Sequence, residues 1–164
     1  AAWRPKAERN WVALFGKCGC GKDHLASAML LAHADGMRAC YADSAAGVLA
    51  MFRKRAYQDD GEMEALRWFV RLDALVLRDV GVKTATAAEF GTIVEILDRR
   101  YRAGRAVIIT SNMTPSEFRA AFSDRVADRL WHRGIIMDGK PYLVCDWDSW
   151  RVKSATCNNV GSTA

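Results

Sequence analysis

Phe15-Gly16-Lys17-Cys18-Gly19-Cys20-Gly21-Lys22-Asp23-His24-Leu25-Ala26 is the stretch that decides the fold. Gly16, Gly21 and Lys22 fit the pattern G-x-x-x-x-G-K. An apolar run, Trp11-Val12-Ala13-Leu14-Phe15, precedes it and reads as a buried strand; Leu25, Met29 and Leu30 after it have helical spacing. Strand, glycine loop and helix together make a phosphate cradle. The glycines let backbone N–H groups curl around a polyphosphate, the helix N-terminus adds the positive end of its dipole, and Lys22 adds a point charge. The predicted nucleotide-contacting set is Gly16, Lys17, Cys18, Gly19, Cys20, Gly21 and Lys22, with Asp23 and His24 in the first helical turn. The position after the lysine ordinarily carries Ser or Thr, whose hydroxyl holds Mg²⁺; here it is Asp23.

Outward from this loop, hydrophobic strands alternate with helical stretches, which predicts an α/β domain with a five-stranded parallel sheet flanked by helices. Strands are expected at 11–15, 38–42, 74–78, 105–110 and 142–146. Helices are expected at 23–34, 44–56, 61–71, 86–103 and 115–131, the last broken near 122. Thr114-Pro115-Ser116-Glu117 reads as a capping box with proline in the first helical position. One domain covers 1–153, and 154–164 reads as a loosely held tail.

The chain has 164 residues, 51% hydrophobic, with net charge +5. That is enough for one domain with a real core and excludes a disordered chain. No apolar stretch approaches the ~20 residues of a membrane span, so no membrane partner is expected. The positive charge tilts toward polyanionic partners. Five cysteines without framework spacing read as reduced thiols of a cytoplasmic protein, and no metal site is expected from the Cys and His residues.

Phosphate-loop enzymes need a second strand ending in a carboxylate that orients Mg²⁺ and water. The candidate is Asp73-Ala74-Leu75-Val76-Leu77-Arg78-Asp79. The metal-binding position is Arg78, and Asp79 follows where an activating acid is expected. A third strand, 105–110, runs into Ser111-Asn112. Asn112 either contacts a terminal phosphate or the attacking water, or simply serves a turn. Arg125 and Arg129 stand four apart on one helical face. They are either a solvated Asp/Arg surface or arginines offered to a neighbouring subunit's nucleotide.

The chain resembles the ATPase domain of bacterial helicase loaders, the DnaC type within the AAA+ superfamily. The motifs are Gly21-Lys22-Asp23-His24-Leu25-Ala26, Asp79-Val80-Gly81-Val82, Leu97-Asp98-Arg99-Arg100-Tyr101, Thr110-Ser111-Asn112-Met113, Asp124 to Leu130, and Asp146-Trp147-Asp148-Ser149-Trp150-Arg151. The resemblance implies an ATP- or ADP-binding domain with little or no C-terminal lid, acting in DNA replication. Lys22 would be the loop lysine, Asn112 the sensor residue, Arg129 or its neighbour Arg125 the arginine finger, and Arg151 a C-terminal arginine near the nucleotide. It also implies self-assembly into an oligomer, single-stranded DNA as a ligand, and a replicative helicase bound through a region absent from this chain. Phe52-Arg53-Lys54-Arg55 offers an aromatic beside three cations for base stacking and phosphate contact, the alternative being a core Phe52 beside a solvated face. Lys83 and Thr86, in the loop after the second strand, would face the same DNA.

Two departures from that family stand out. Arg78-Asp79 replaces Asp-Glu, and Asp23 replaces Asn or Thr. Each removes a usual Mg²⁺ contact, so Mg²⁺ use is doubtful and ATP hydrolysis is expected to be weak. The swapped charges suggest a direct Asp23–Arg78 ion pair. The readings that compete with the loader are a transposition helper ATPase of the IstB type and a non-hydrolysing oligomerisation or DNA-binding module.

Overall fold

The computed structural model describes residues 3–58, 61–81 and 87–147. Its elements run β1 (Trp11–Gly16), α1 (Lys22–Leu31), a short 3₁₀ turn (Ala34–Gly36), β2 (Cys40–Ser44), α2 (Ala45–Gln58), α3 (Glu62–Arg71) and β3 (Ala74–Arg78). Then follow α4 (Ala87–Arg102), β4 (Ala106–Ser111), α5 (Pro115–Arg133) and β5 (Leu143–Cys145). The strands form one five-stranded sheet in the order β2-β3-β4-β1-β5, and every pairing is parallel.

Strand side chains alternate between two faces, and both faces are apolar, as a parallel sheet covered by helices requires. One face carries Trp11, Ala13, Phe15, Leu75, Leu77, Val107 and Ile109. These share a core with Val48, Leu49 and Phe52 of α2, Phe69 of α3, Ile93, Ile96 and Leu97 of α4, and Phe118, Phe122, Val126 and Leu130 of α5. The other face carries Val12, Leu14, Ala74, Val76, Ala106 and Ile108, covered by Ala26 of α1, Trp3 and Ile135. The edge strand β2 is the least buried of the five, and Cys40 on it is exposed.

Helix α5 departs from expectation in one respect. It runs unbroken from Pro115 to Arg133. Phe118, Phe122, Val126 and Leu130 recur every fourth residue, so they form one buried stripe, and Phe122 is part of it. Its start is as read: the Thr114 side chain accepts from the Glu117 backbone N–H, and the Glu117 carboxylate accepts from the Thr114 N–H.

Arg100 is wholly buried on α4 and, among the described residues, faces no carboxylate at hydrogen-bond distance. Its guanidinium donates to the carbonyls of Phe69, Leu72 and Ala106, tying the end of α3 to the start of β4. Burial pushes it down to about 9, Arg105 pushes the same way, and Asp73 opposes them.

Candidate nucleotide site

All strands are parallel, so their C-terminal ends collect the loops at one pole, where open α/β sheets bind ligands. The phosphate loop lies there between β1 and α1. Gly19 and Gly21 both have positive φ, 83° and 89°, which a side-chain-bearing residue adopts at a cost. At Gly16 the constraint is contact: a Cβ would stand 2.3 Å from the Cys145 carbonyl oxygen on β5.

Lys22 opens α1 but its side chain returns into the loop and is 5% exposed. Its ammonium donates to the carbonyls of Gly16 at 2.8 Å and Lys17 at 2.7 Å, and to the Asn112 amide oxygen at 2.9 Å. Two residues 90 apart in sequence thus meet, one on the loop and one just past the tip of β4. Lys17, Cys18 and His24 are exposed around this point, and Cys20 is buried beneath it. The Trp147 indole N–H donates to the Cys20 carbonyl, so the segment after β5 closes on the loop.

Asp23 does not pair with Arg78. Its carboxylate accepts from the Thr110 hydroxyl at 2.7 Å, and that hydroxyl accepts from the Asp79 backbone N–H at 3.2 Å. The Val80 N–H donates to the Thr110 carbonyl, and the Ser111 hydroxyl donates to the Val80 carbonyl. Thr110 and Ser111, both fully buried, therefore lock the turn after β3 against β4. Asp79 sits in that turn with φ 53°, a conformation Asp tolerates, and its side chain is exposed. Arg78 forms no ion pair with Asp23, and its Nε is buried without a hydrogen-bond partner among the described residues. The expected coupled swap fails because Thr110, a hydroxyl donor on the neighbouring strand, takes the Asp23 carboxylate. Thr110 was not among the predicted site residues.

The arginine readings also divide. Arg129 lies against the buried carboxylate of Asp98 and over the Tyr101 ring at 5.2 Å. Its side chain is 17% exposed. The Arg125 side chain lies outside the described residues, as do Lys83, Thr86 and Arg151.

Phe52 is 7% exposed and belongs to the main core, so its ring is not available for stacking on a base. Arg53 and Lys54, on the other side of α2, are exposed. Arg55 packs its guanidinium over the Trp68 ring at 4.5 Å. The cations of that motif remain on the surface and the aromatic does not.

A parallel sheet with a glycine loop after β1, a lysine folded into that loop and a polar side chain at the tip of the neighbouring β4 define a phosphate-loop nucleotide-binding domain. Comparison with known proteins places it more closely. Residues 4–154 match the family described as IstB-like ATP binding protein, and the chain belongs to that family. It is 31% identical over 144 residues to the uncharacterized protein YdaV of Escherichia coli K12, covering 85% of this chain and 54% of that one. It is 28% identical over 140 residues to the replicative helicase loader DnaC of the same strain, covering 83% and 54%. A putative insertion sequence ATP-binding protein of Sinorhizobium fredii is 31% identical over 134 residues, covering 77% and 44%. The chain thus spans about half the length of the curated relatives it matches.

Among solved structures, the crystal structure of the DnaC helicase loader superposes with a TM-score of 0.70 at 18% identity, over 89% of this chain and 82% of that one. The replication initiator DnaA bound to AMPPCP and single-stranded DNA superposes at 0.68 with 20% identity, over 93% and 46%. The fold is that of AAA+ domains. Among the described residues, no helix is long and apolar enough to cross a membrane.

Proposed function

We propose that this chain is the nucleotide-binding domain of a DNA-replication helicase loader, a cytoplasmic protein that holds ATP or ADP and hydrolyses it poorly. The observation that carries the reading is the Lys22 ammonium, gathered by two loop carbonyls and Asn112. A phosphate oxygen is a stronger acceptor for that charge than a carbonyl, so the loop fits a nucleotide's phosphates. Lys22 would hold the terminal phosphates, the loop backbone would wrap them, and Asn112 would orient the outermost one.

The donor set at the same pole fits Mg²⁺ poorly. Asp23 is committed to Thr110, and β3 ends in the cation Arg78. Asp79 is the carboxylate left exposed beside them. Arg129, or its neighbour Arg125, is the proposed arginine acting across an oligomer interface.

Single-stranded DNA is the proposed second ligand, met by Arg53 and Lys54 on α2 and by Lys83 and Thr86 in the loop after β3. Contacts of this kind are to phosphate, so affinity falls as salt rises. A replicative helicase is the proposed protein partner.

Calorimetric titration with ATP and ADP, with and without Mg²⁺, tests the reading. Weak binding that Lys22→Ala abolishes and Mg²⁺ scarcely changes is expected. No binding at millimolar nucleotide, or binding that Lys22→Ala leaves intact, refutes it. The similarity to an insertion sequence ATP-binding protein favours a second reading, a transposition helper. A preference for duplex over single-stranded DNA would establish that one instead.

A further inference from the structure

We propose that Arg78 is the resident cation of the phosphate site. Its guanidinium binds the terminal phosphates where Mg²⁺ would otherwise be held, so the ligand is a metal-free nucleoside polyphosphate. The nucleotide in this proposal rests on the functional reading above; an anion site at Arg78 does not.

The sheet places Arg78. Ala74 and Val76 on β3, and Ala106 and Ile108 on β4, lie on the face that α1 covers. Side chains alternate along a strand, so Arg78 and Thr110, each two residues further on, end that same face. Leu77 is registered with Ile109, which sets Arg78 beside Thr110, and Ser44 on β2 is registered with Arg78 on its other side. One residue past Arg78, the Asp79 backbone N–H donates to the Thr110 hydroxyl at 3.2 Å, and that hydroxyl donates to Asp23 at 2.7 Å. Asp23 follows Lys22 in the first turn of α1. Arg78 therefore stands one strand, about 4.8 Å, from the residue that anchors the N-terminus of α1. Lys22 serves the phosphate cradle from the β1 side, and Arg78 flanks it from the β3 side.

The charge on Arg78 has no partner. Its Nε is buried, and no nitrogen of its guanidinium has a hydrogen bond or ion pair among the described residues. The carboxylates on α1 and on the neighbouring strand ends do not serve it. Asp23 is taken by Thr110. Asp43 is registered with Leu77, on the other face of the sheet, and accepts from the Tyr41 hydroxyl at 3.0 Å. Asp79 is exposed beyond the turn. The arginines that tie this fold together are satisfied from within: Arg100 by three backbone carbonyls, Arg129 by Asp98. A half-buried guanidinium without a counter-ion destabilises the fold that holds it, and an anion from outside relieves that cost. Guanidinium N–H groups match phosphate oxygens in pairs, and the group stays charged at every working pH. The same charge repels a divalent cation. Lys22 and Arg78 are then two fixed cations for a polyphosphate that arrives without one.

Titration of the full chain with a fluorescent ATP analogue, in EDTA and in millimolar Mg²⁺, tests the site. Binding to the parent should be no weaker in EDTA. Arg78→Gln should weaken it about tenfold or more in both solutions, and Arg78→Lys, which keeps the charge, should bind more tightly than Arg78→Gln. Without ligand, Arg78→Gln should melt no lower than the parent, because Arg78 has no partner to lose. A parent that needs Mg²⁺ to bind, or an Arg78→Gln variant that binds as the parent does, overturns the proposal. A lower ligand-free melting temperature for Arg78→Gln marks the residue as structural and overturns it too. Inorganic tripolyphosphate, read by its effect on the melting temperature, separates the site from the nucleotide reading. If ATP does not bind but tripolyphosphate stabilises the parent and not Arg78→Gln, the functional reading fails and the anion site stands. If neither ligand acts on the parent, both fail.

Discussion

Asp98 shows how charge is handled inside this domain. It is 4% exposed, and both Arg102 and Arg129 lie against it. Arg102 is 64% exposed and loses little without Asp98, but Arg129, 17% exposed, would be left a mostly buried charge without compensation. Asp98→Ala should therefore cost about 3–5 kcal/mol, read as a lower urea midpoint at unchanged slope. Asp73 offers a pH test. Its carboxylate accepts from the Arg38 backbone N–H at 2.7 Å and from the Arg105 guanidinium at 3.1 Å. The Arg38 N–H is the largest influence on Asp73; burial opposes it, and the Ala39 N–H with the charges of Arg38 and Arg105 leaves the carboxyl below its ordinary 3.8. A carboxyl lowered on folding contributes stability above its unfolded value and loses it as pH falls through the folded one. Asp73→Asn should thus destabilise at neutral pH, and the difference from the parent should close as the solution is acidified below 3.8. Denaturant titrations across that range check it. Phe52 completes the residue scale. Phe52→Ala empties a core site and should cost about 3–5 kcal/mol of stability, whereas Arg53→Ala with Lys54→Ala should leave stability nearly unchanged and weaken DNA binding.

Among elements, α5 depends most visibly on local chemistry. Thr114→Ala removes the acceptor for the Glu117 N–H and should lower stability by ~1 kcal/mol, measurable by thermal or urea unfolding. That cap was legible in sequence because everything in it lies within four residues. The same holds for the glycine loop, for the alternation of strands with helices, and for the strands at the sheet centre, which are apolar on both faces. What sequence concealed was long-range. Asp23 finds Thr110 87 positions away, which a local comparison of Asp23 with Arg78 could not reveal. Asp98 and Arg129 were each noticed in separate motifs, and their contact joins α4 to α5. Phe52 was ambiguous because apolar and cationic residues adjoin. Its spacing from Val48 and Leu49, four and three residues back, was the signal for the buried side of α2.

Taken whole, the domain builds its functional pole from pieces that a ligand would bridge: the loop after β1, the β3–β4 tips and the segment after β5. A ligand bound only by the folded state adds stability by mass action, ~2.7 kcal/mol when present at a hundred times its dissociation constant. ATP in such excess should therefore raise the melting temperature, and Lys22→Ala should erase the rise; differential scanning fluorimetry reads both. The same sheet order has a meaning in time. Trp11 on β1 is registered with Val107 on β4, 96 residues later, and β5 comes later still. A chain grows from its N-terminus at roughly 5–20 residues per second, so β1 waits about 5–20 seconds for its first neighbour. Throughout that interval Trp11-Val12-Ala13-Leu14-Phe15 is a strand with both edges open. The nascent protein is therefore most prone to aggregate between the emergence of β1 and that of β4, and ribosomes stalled before Ala106 should carry chains that proteases still cut within β1.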